Sequence, residues 1–422
     1  MKPSATLAAQ LGEAARIVAR VAAGKSLTDE IGRLSDLDSR SALIDLTHGT
    51  LRRYGRVQAI VASLSRRGRP DARVEALLWC ALYALESARH AEHTVVDEAV
   101  KACGLLERWP AKGYVNALLR GFLRQRSALE AQLASEPEAR YQHPQWWIDL
   151  VRHAYPETWQ AVLAAGNTHP PMALRVNRRR MDVDQYQARL AQQGVAAHRC
   201  GAQGLLLERP LPIERVPGFA AGEVSVQDPG AQRAAHGLDL RAGQRVLDAC
   251  AAPGGKSAHI LELAEVALTA LDVDAARAAR IAPNLERLGL NAQIQVADAT
   301  RPEQWWDGRP FDRVLADVPC SASGIARRHP DAKWLRRASD LTAFAERQRA
   351  ILAALWRLLA PDGKLLYATC SIFLQENDAV VDAFVEAEPR AQRRPLADGA
   401  PAQWLPAAEH DGFYYALIAK RA

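Results

Sequence analysis

The stretch ValLeuAspAlaCysAlaAlaProGlyGlyLysSer, residues 246–257, decides the fold. A short apolar run ends in an acid, passes through a glycine turn and enters a helical pattern that continues to Leu263. Gly254 and Gly255 permit a tight turn and close approach of the backbone to a ligand, and the helix that follows presents free N–H groups. Beyond it, apolar runs at 268–271, 294–296, 313–315 and 364–367 alternate with helical patterns that end at Leu288 and span 341–359. This alternation predicts an α/β doubly wound, Rossmann-like domain with its ligand at the C-terminal ends of the strands.

The texture upstream is different. From Ala5 to about Leu133 apolar residues recur every three or four positions, as in Val74, Leu77, Leu78, Leu82 and Leu85, which predicts an all-α domain. Breaks fall at Gly24, at Gly68 to Pro70 and at Trp109-Pro110, with Ser26 and Asp71 placed to start helices. A polar break at 134–140 precedes a Trp-rich helical segment from Gln145 to about Ala165. Strand candidates at 172–177 and 204–208, around a helix near 182–193, predict a small α+β connector. The expected organisation is residues 1–140, 141–226 and 227–422, which agrees with the roughly three domains that 422 residues suggest.

Composition narrows the class of protein. With 49% hydrophobic and 24% charged residues the chain is an ordinary folded one. No apolar stretch reaches the ~20 residues of a membrane span, and mean hydropathy is -0.19. The N-terminal segment reads as an amphipathic helix, since Gln10, Glu13 and Arg16 interrupt it. Six dispersed cysteines without a CxxC pair argue against zinc and against a disulfide framework, so a reducing cytoplasm is expected. Residues 1–140 hold 21 Lys/Arg against 16 Asp/Glu, so +5 of the net +6 lies in the part expected to face a polyanion. Only eight of the 54 basic residues are Lys; Arg suits bidentate phosphate contact, but codon composition accounts equally well for the bias. Nothing predicts a coiled coil or a long apolar interface, and a monomer is expected.

Two nucleotide-site readings compete with a third. Gly255-Lys256-Ser257 is half of a P-loop, but the first required glycine is Cys250, and a dinucleotide-binding GxGxxG is missing as well. Instead, successive strands end in Asp272, Asp298 and Asp317. Asp272, about twenty residues beyond the glycine turn, can take both hydroxyls of a ribose. Three carboxylates in register suit an adenosine without phosphates, which they would repel, and S-adenosylmethionine fits that description. Singly, each Asp is an ordinary turn or cap residue.

Two cysteines share a setting: AspValProCysSer places Cys320 past the fourth strand, and AlaThrCysSer places Cys370 past the fifth. In a doubly wound sheet those strand ends are neighbours, so both sulfurs face the ligand crevice. Cys80, Cys103 and Cys200 read as buried core thiols, and Cys250 as a wall of the cofactor loop. A thiolate adding at C6 of a pyrimidine converts the ring to an enamine whose C5 can attack a sulfonium methyl. Asp317 can hold the N3/N4 edge, and after loss of the C5 proton the thiol leaves, with a second cysteine assisting. Physical reasoning does not choose between Cys320 and Cys370 as nucleophile. Arg327, Arg328, His329 and Lys333 form a basic loop placed for RNA phosphate contact, with Trp334 available for packing or base stacking.

The motifs AspAlaCysAlaAlaProGlyGlyLys (248–256), AspValAsp (272–274), AspValProCys (317–320), ArgArgHisProAspAlaLysTrp (327–334), AlaThrCysSer (368–371) and a terminal AspGlyPheTyrTyrAla resemble the NOL1/NOP2/Sun family of RNA cytosine-C5 methyltransferases, in its bacterial branch acting on 16S ribosomal RNA. The likeness spans nearly the whole chain: the first third resembles a NusB-like RNA-binding domain, and LeuArgValAsn at 174–177 the family's connector. It implies a class I methyltransferase domain. It makes Cys370 the nucleophile and Cys320 the releasing cysteine, with S-adenosylmethionine held by Cys250, Ala251, Ala252, Pro253, Gly254, Gly255, Lys256, Asp272, Asp298 and Asp317. Two departures, Val318 where Ala is common and Asp228-Pro229-Gly230-Ala231 in place of AspAlaSerAla, touch no proposed catalytic atom. A P-loop ATPase and a catalytically silent RNA binder are the competing readings.

Overall fold

The computed structural model describes residues 6–34, 40–65, 68–397 and 399–421. The first five residues of the N-terminal segment lie outside them. The chain forms two compact units, one running to His169 and including Ala326–Ala338, the other made of Pro170–Ile325 and Ser339–Ala422.

The first unit is helical throughout its described residues up to His169. Helix Ala72–Ser87 is apolar nearly all round, every residue from Val74 to Leu85 being buried, and so it is the axis on which the amphipathic helices Leu7–Ala22, Arg40–Arg52, Tyr54–Leu64 and Glu92–Leu105 pack. The expected caps form: Ser26 Oγ accepts from Asp29 N at 3.4 Å and the Asp71 carboxylate from Arg73 N at 3.0 Å. Helices Gln145–Ala154 and Trp159–Gly166, beyond the polar break, belong to this unit by their packing.

The second unit holds two sheets. Strands β1 (Met172–Val176), β2 (Ala197–Cys200), β3 (Gly204–Leu207) and β4 (Val224–Val226) form an antiparallel sheet in the order β2-β3-β1-β4, with helix Val183–Gln192 packed on it. The sequence reading found β1 and β3 but not the polar edge strand β2 or the three-residue β4. Arg175 on β1 makes a bidentate, fully buried ion pair with Glu262 at 2.9 and 2.8 Å and donates to Gly255 O at 2.9 Å. This ties the connector sheet to the helix after the glycine turn; loss of one partner of such a pair costs about 3–5 kcal/mol.

The large sheet contains β5 (Arg245–Ala249), β6 (Ala267–Asp272), β7 (Gln293–Val296), β8 (Phe311–Asp317), β9 (Leu359–Thr369), β10 (Ala391–Arg394), β11 (Gln403–Trp404) and β12 (Phe413–Lys420). Its order is β10-β12-β9-β8-β5-β6-β7, with β11 paired to β12. From β7 to β9 all pairings are parallel, as the alternation of strands and helices requires. The terminal PheTyrTyrAlaLeuIleAla adds what the sequence reading lacked, an antiparallel β12 between β9 and β10, buried along nearly its whole length. The order reverses on either side of β5, so the crevice at the switch point opens over the C-terminal ends of β5 and β8.

Candidate active site

β5 ends at Ala249, and the chain turns through Cys250 at φ 75°, a cis Ala252-Pro253 bond and Gly254 at φ 93° before the helix begins at Gly255. Glycine is required at 254 because that backbone lies in the left-handed region. The backbone N–H groups of Cys250 and Ala251 both donate to Leu271 O at 2.8 Å, clamping the turn onto the end of β6. Beneath it, buried Asp248 accepts from Ser257 Oγ at 2.6 Å, and burial pushes its carboxyl up to about 7.

The three strand-end acids do converge. A cavity of about 200 Å³ is lined by Cys250, Ala252, Asp272, Asp298, Asp317, Cys320 and Cys370, among others. Asp272 is oriented by the N–H groups of Ala252 and Asp274, each at 3.1 Å. Asp298 accepts from Thr300 N at 2.9 Å and Oγ1 at 2.8 Å, and these bonds hold its carboxyl below the usual range. Asp317 pairs with Lys256 at 2.5 Å. Burial works against the Lys256 ammonium, yet Asp317 and then the sulfur of Cys370 outweigh it, and its pKa is raised. Ala251, Pro253, Gly254 and Gly255 build the turn without lining the cavity, and Lys256 reaches it through Asp317. Two arginines that the motifs did not single out, Arg277 and Arg347, complete the wall and offset the acids; only their charge could have drawn attention to them. A larger cavity of about 650 Å³ between Cys200–Ala202, helix Pro229–Gly237 and Trp404–His410 contains neither the strand-end acids nor the cysteine pair.

β8 and β9 are parallel neighbours, and the loops that follow bring Cys320 Sγ to 3.3 Å from Cys370 Sγ. The bond to Cys370, then burial, raises the Cys320 pKa well above the ordinary thiol value. Close backbone approach fixes the Cys320 loop: Gly324 N donates to Cys370 O and Gly412 N to Gly324 O, both at 2.8 Å, and a Cβ on Gly324 would meet Gly412 O at 2.3 Å. Cys80 and Cys103 are buried in the core, whereas Cys200, read as a core thiol, is partly exposed beside the larger cavity, and Cys250 lines the crevice. Burial pushes Cys80 and Cys250 to about 12 and Cys200 to about 11.

The basic loop is corrected at two of its four positions. Lys333 is fully buried in the first unit, donating to Arg52 O at 3.1 Å, Gln142 O at 3.0 Å and Asn167 Oδ1 at 2.7 Å. Burial, and secondarily Arg52, lowers its pKa well below the ordinary lysine value. Arg327 is buried too, and its carbonyl accepts both Nε and Nη2 of Arg52 at 3.0 and 2.9 Å. Asp331 caps Leu27 N at 2.9 Å, while Trp334 lies edge-on to Tyr54 and donates to Leu51 O at 3.0 Å. The physical reason is that buried backbone groups at helix ends require partners, and this segment supplies donors at Lys333 and Trp334 and an acceptor at Asp331. Arg328 is half-buried and His329 exposed.

A doubly wound sheet with a glycine turn, strand-end acids and no P-loop lysine open to phosphate defines a Rossmann-like methyltransferase domain. Residues 235–419 match the family model of 16S rRNA methyltransferase RsmB/F, residues 143–214 the ferredoxin-like domain of RsmF/B-like methyltransferases, and residues 12–124 the NusB family. The chain is 45% identical over 391 residues to ribosomal RNA small subunit methyltransferase B of Vibrio cholerae, covering 90% of this chain and 89% of the relative. It is 43% identical over 432 residues to the protein of the same name in Pseudomonas syringae, covering 97% and 96%. A methyltransferase homolog protein from Pyrococcus horikoshii superposes with a TM-score of 0.59 at 26% identity, over 67% of this chain and 97% of that one. The chain belongs to the RsmB/F methyltransferase family.

Proposed function

We propose that the protein transfers a methyl group from S-adenosylmethionine to C5 of a cytosine in 16S ribosomal RNA, with Cys370 as nucleophile. The observation that carries this reading is the 3.3 Å approach of two thiols in the same cavity as three strand-end acids. The donor set fits an adenosine: Asp272 is held by two backbone N–H groups at the cavity, Asp298 is fixed by Thr300, and Arg277 and Arg347 balance their charge. When bound, S-adenosylmethionine supplies an electrophilic sulfonium methyl.

Cys370 Sγ adds to C6 of the cytosine, and the electron pair displaced from the C5–C6 bond makes C5 the nucleophilic atom. Asp317, oriented by Lys256, holds the N3/N4 edge of the ring during addition. Once C5 carries the methyl, its proton passes to water, the C5–H electron pair re-forms the C5–C6 double bond and expels Cys370 as a thiolate, and the Cys320 thiol at 3.3 Å protonates the departing sulfur. The similarity to ribosomal RNA small subunit methyltransferases supports the substrate, and the match to the NusB family supports RNA contact by the helical unit, with Arg328 and His329 at its surface. A phosphate-binding role for Lys256 is opposed by its pairing with Asp317.

The test is transfer of labelled methyl to small-subunit ribosomal RNA. Cys370→Ala should lose product by about 10³-fold or more and form no covalent RNA adduct. Cys320→Ala should accumulate an adduct that survives denaturation. The reverse pattern would move the nucleophile to Cys320, and no transfer by the native chain to free RNA or to the subunit would overturn the reaction.

A further inference from the structure

Each of the two crevice cysteines is followed by a serine, and both serine hydroxyls converge on one buried carboxylate. Ser321 Oγ and Ser371 Oγ each donate to Glu376 Oε2 at 2.5 Å. The other oxygen, Oε1, accepts from Ser321 N at 2.8 Å and from Gln348 Nε2 at 3.2 Å. Glu376, Ser321, Ser371 and Gln348 are all fully buried. Four donors fill the acceptor sites of a carboxylate, which removes the cost of burying it.

The same group of side chains holds the residues on either side of each cysteine. Gln348 also donates to Pro319 O at 3.0 Å, so Cys320 is held through the residue before it and the residue after it. Asn377, next in sequence to Glu376, donates to Ser371 O at 2.9 Å and accepts from Thr369 Oγ1 at 2.6 Å, which does the same for Cys370. We infer that Glu376 is a positioning residue: it joins the loop after β8 to the loop after β9 and thereby sets the distance at which Cys320 faces Cys370. This rests on the cysteine mechanism proposed above. The expectation for the reaction is that release of product, which needs both sulfurs, depends on Glu376 although the carboxylate lies behind the thiols.

The test uses the full chain with Glu376→Ala and Glu376→Gln. Glutamine can keep its oxygen toward Ser321 N and Gln348 while the two serine hydroxyls turn to accept from its amide, so it is the conservative variant and the one that carries the test if alanine fails to fold. The first readout is independent of methyl transfer. Diamide, a two-electron thiol oxidant, takes up both thiol hydrogens as one S–S bond forms between Cys320 and Cys370, and the rate is followed by mass spectrometry of the linked peptides. Linking should be about tenfold slower in Glu376→Ala, with glutamine intermediate. The second readout is kinetic. Glu376→Ala should lower kcat by about 10- to 100-fold with the KM for S-adenosylmethionine unchanged, and should cost nothing further in a Cys320→Ala background. Unchanged linking and turnover in a folded variant would overturn the inference. Slower linking with undiminished turnover would keep Glu376 as the spacer of the two loops and overturn the cysteine mechanism instead.

Discussion

Two motifs of this chain look alike on paper and behave differently in three dimensions. The strand-end motifs around Cys250, Asp272, Asp317, Cys320 and Cys370 and the segment ArgArgHisProAspAlaLysTrp both concentrate charged and polar residues. The first set surrounds an open crevice, where the polar atoms face a cavity. The second exchanges hydrogen bonds with helix ends of the first unit, Lys333 and Trp334 donating while Arg327 O and Asp331 accept, and the Lys333 and Arg327 side chains are buried. Charge density therefore does not distinguish a site from a structural tie. What distinguishes them is whether the group still lines an open cavity, as Asp272, Asp298 and Asp317 do, or is enclosed by the protein, as Lys333 and Arg327 are.

That contrast can be broken experimentally. Lys256→Ala leaves Asp317 without its ammonium and should lower kcat/KM for methyl transfer about 100-fold while the melting temperature changes little. A comparable loss of melting temperature without a kinetic effect would make the pair a structural tie like the other.

Lys333→Ala is expected to do the reverse. It leaves three buried acceptors unfilled and should cost about 3 kcal/mol of stability, read by calorimetry, with S-adenosylmethionine affinity unaltered. Its pH signature has a definite sign. The folded-state pKa lies below the ordinary 10.5, so between the two values the folded chain holds fewer protons than the unfolded chain, and stability rises with pH up to about 10.5. The variant should lose that rise, and retention of it would assign the slope to other groups.

The smallest effect sharpens the comparison within the segment itself. Arg328→Ala should weaken RNA binding severalfold and reduce the slope of log affinity against log salt by about 1, as loss of one phosphate contact requires. Arg327→Ala removes a buried side chain and should lower stability and leave the salt slope unchanged.

The features legible in the sequence were those with a local cause. The glycine turn, the helix starts at Ser26 and Asp71 and the parallel strands β5 to β9 follow from turn chemistry, capping and apolar periodicity over ten to twenty residues. Strands β2, β4, β10 and β11 were not legible because they are two to four residues long and carry no apolar run, β2 and β10 being mostly polar. The candidate site was legible as a set of residue types at strand ends, since a doubly wound sheet brings those ends together whatever lies between them. The role of Glu376 was foreshadowed only by the repeated Cys-Ser pair.

The sequence by itself determined the class of fold, the glycine turn, the register of acids and the two cysteines that share a crevice, because each depends on spacing along a strand or a single turn. Tertiary structure alone decided that Cys320 and Cys370 meet at 3.3 Å, that Glu376 joins the loops carrying them, and that Lys333 and Arg327 are inside. Those outcomes depend on which distant carbonyls and hydroxyls lie within about 3 Å of a polar atom, and desolvation then fixes whether that atom remains available to a ligand.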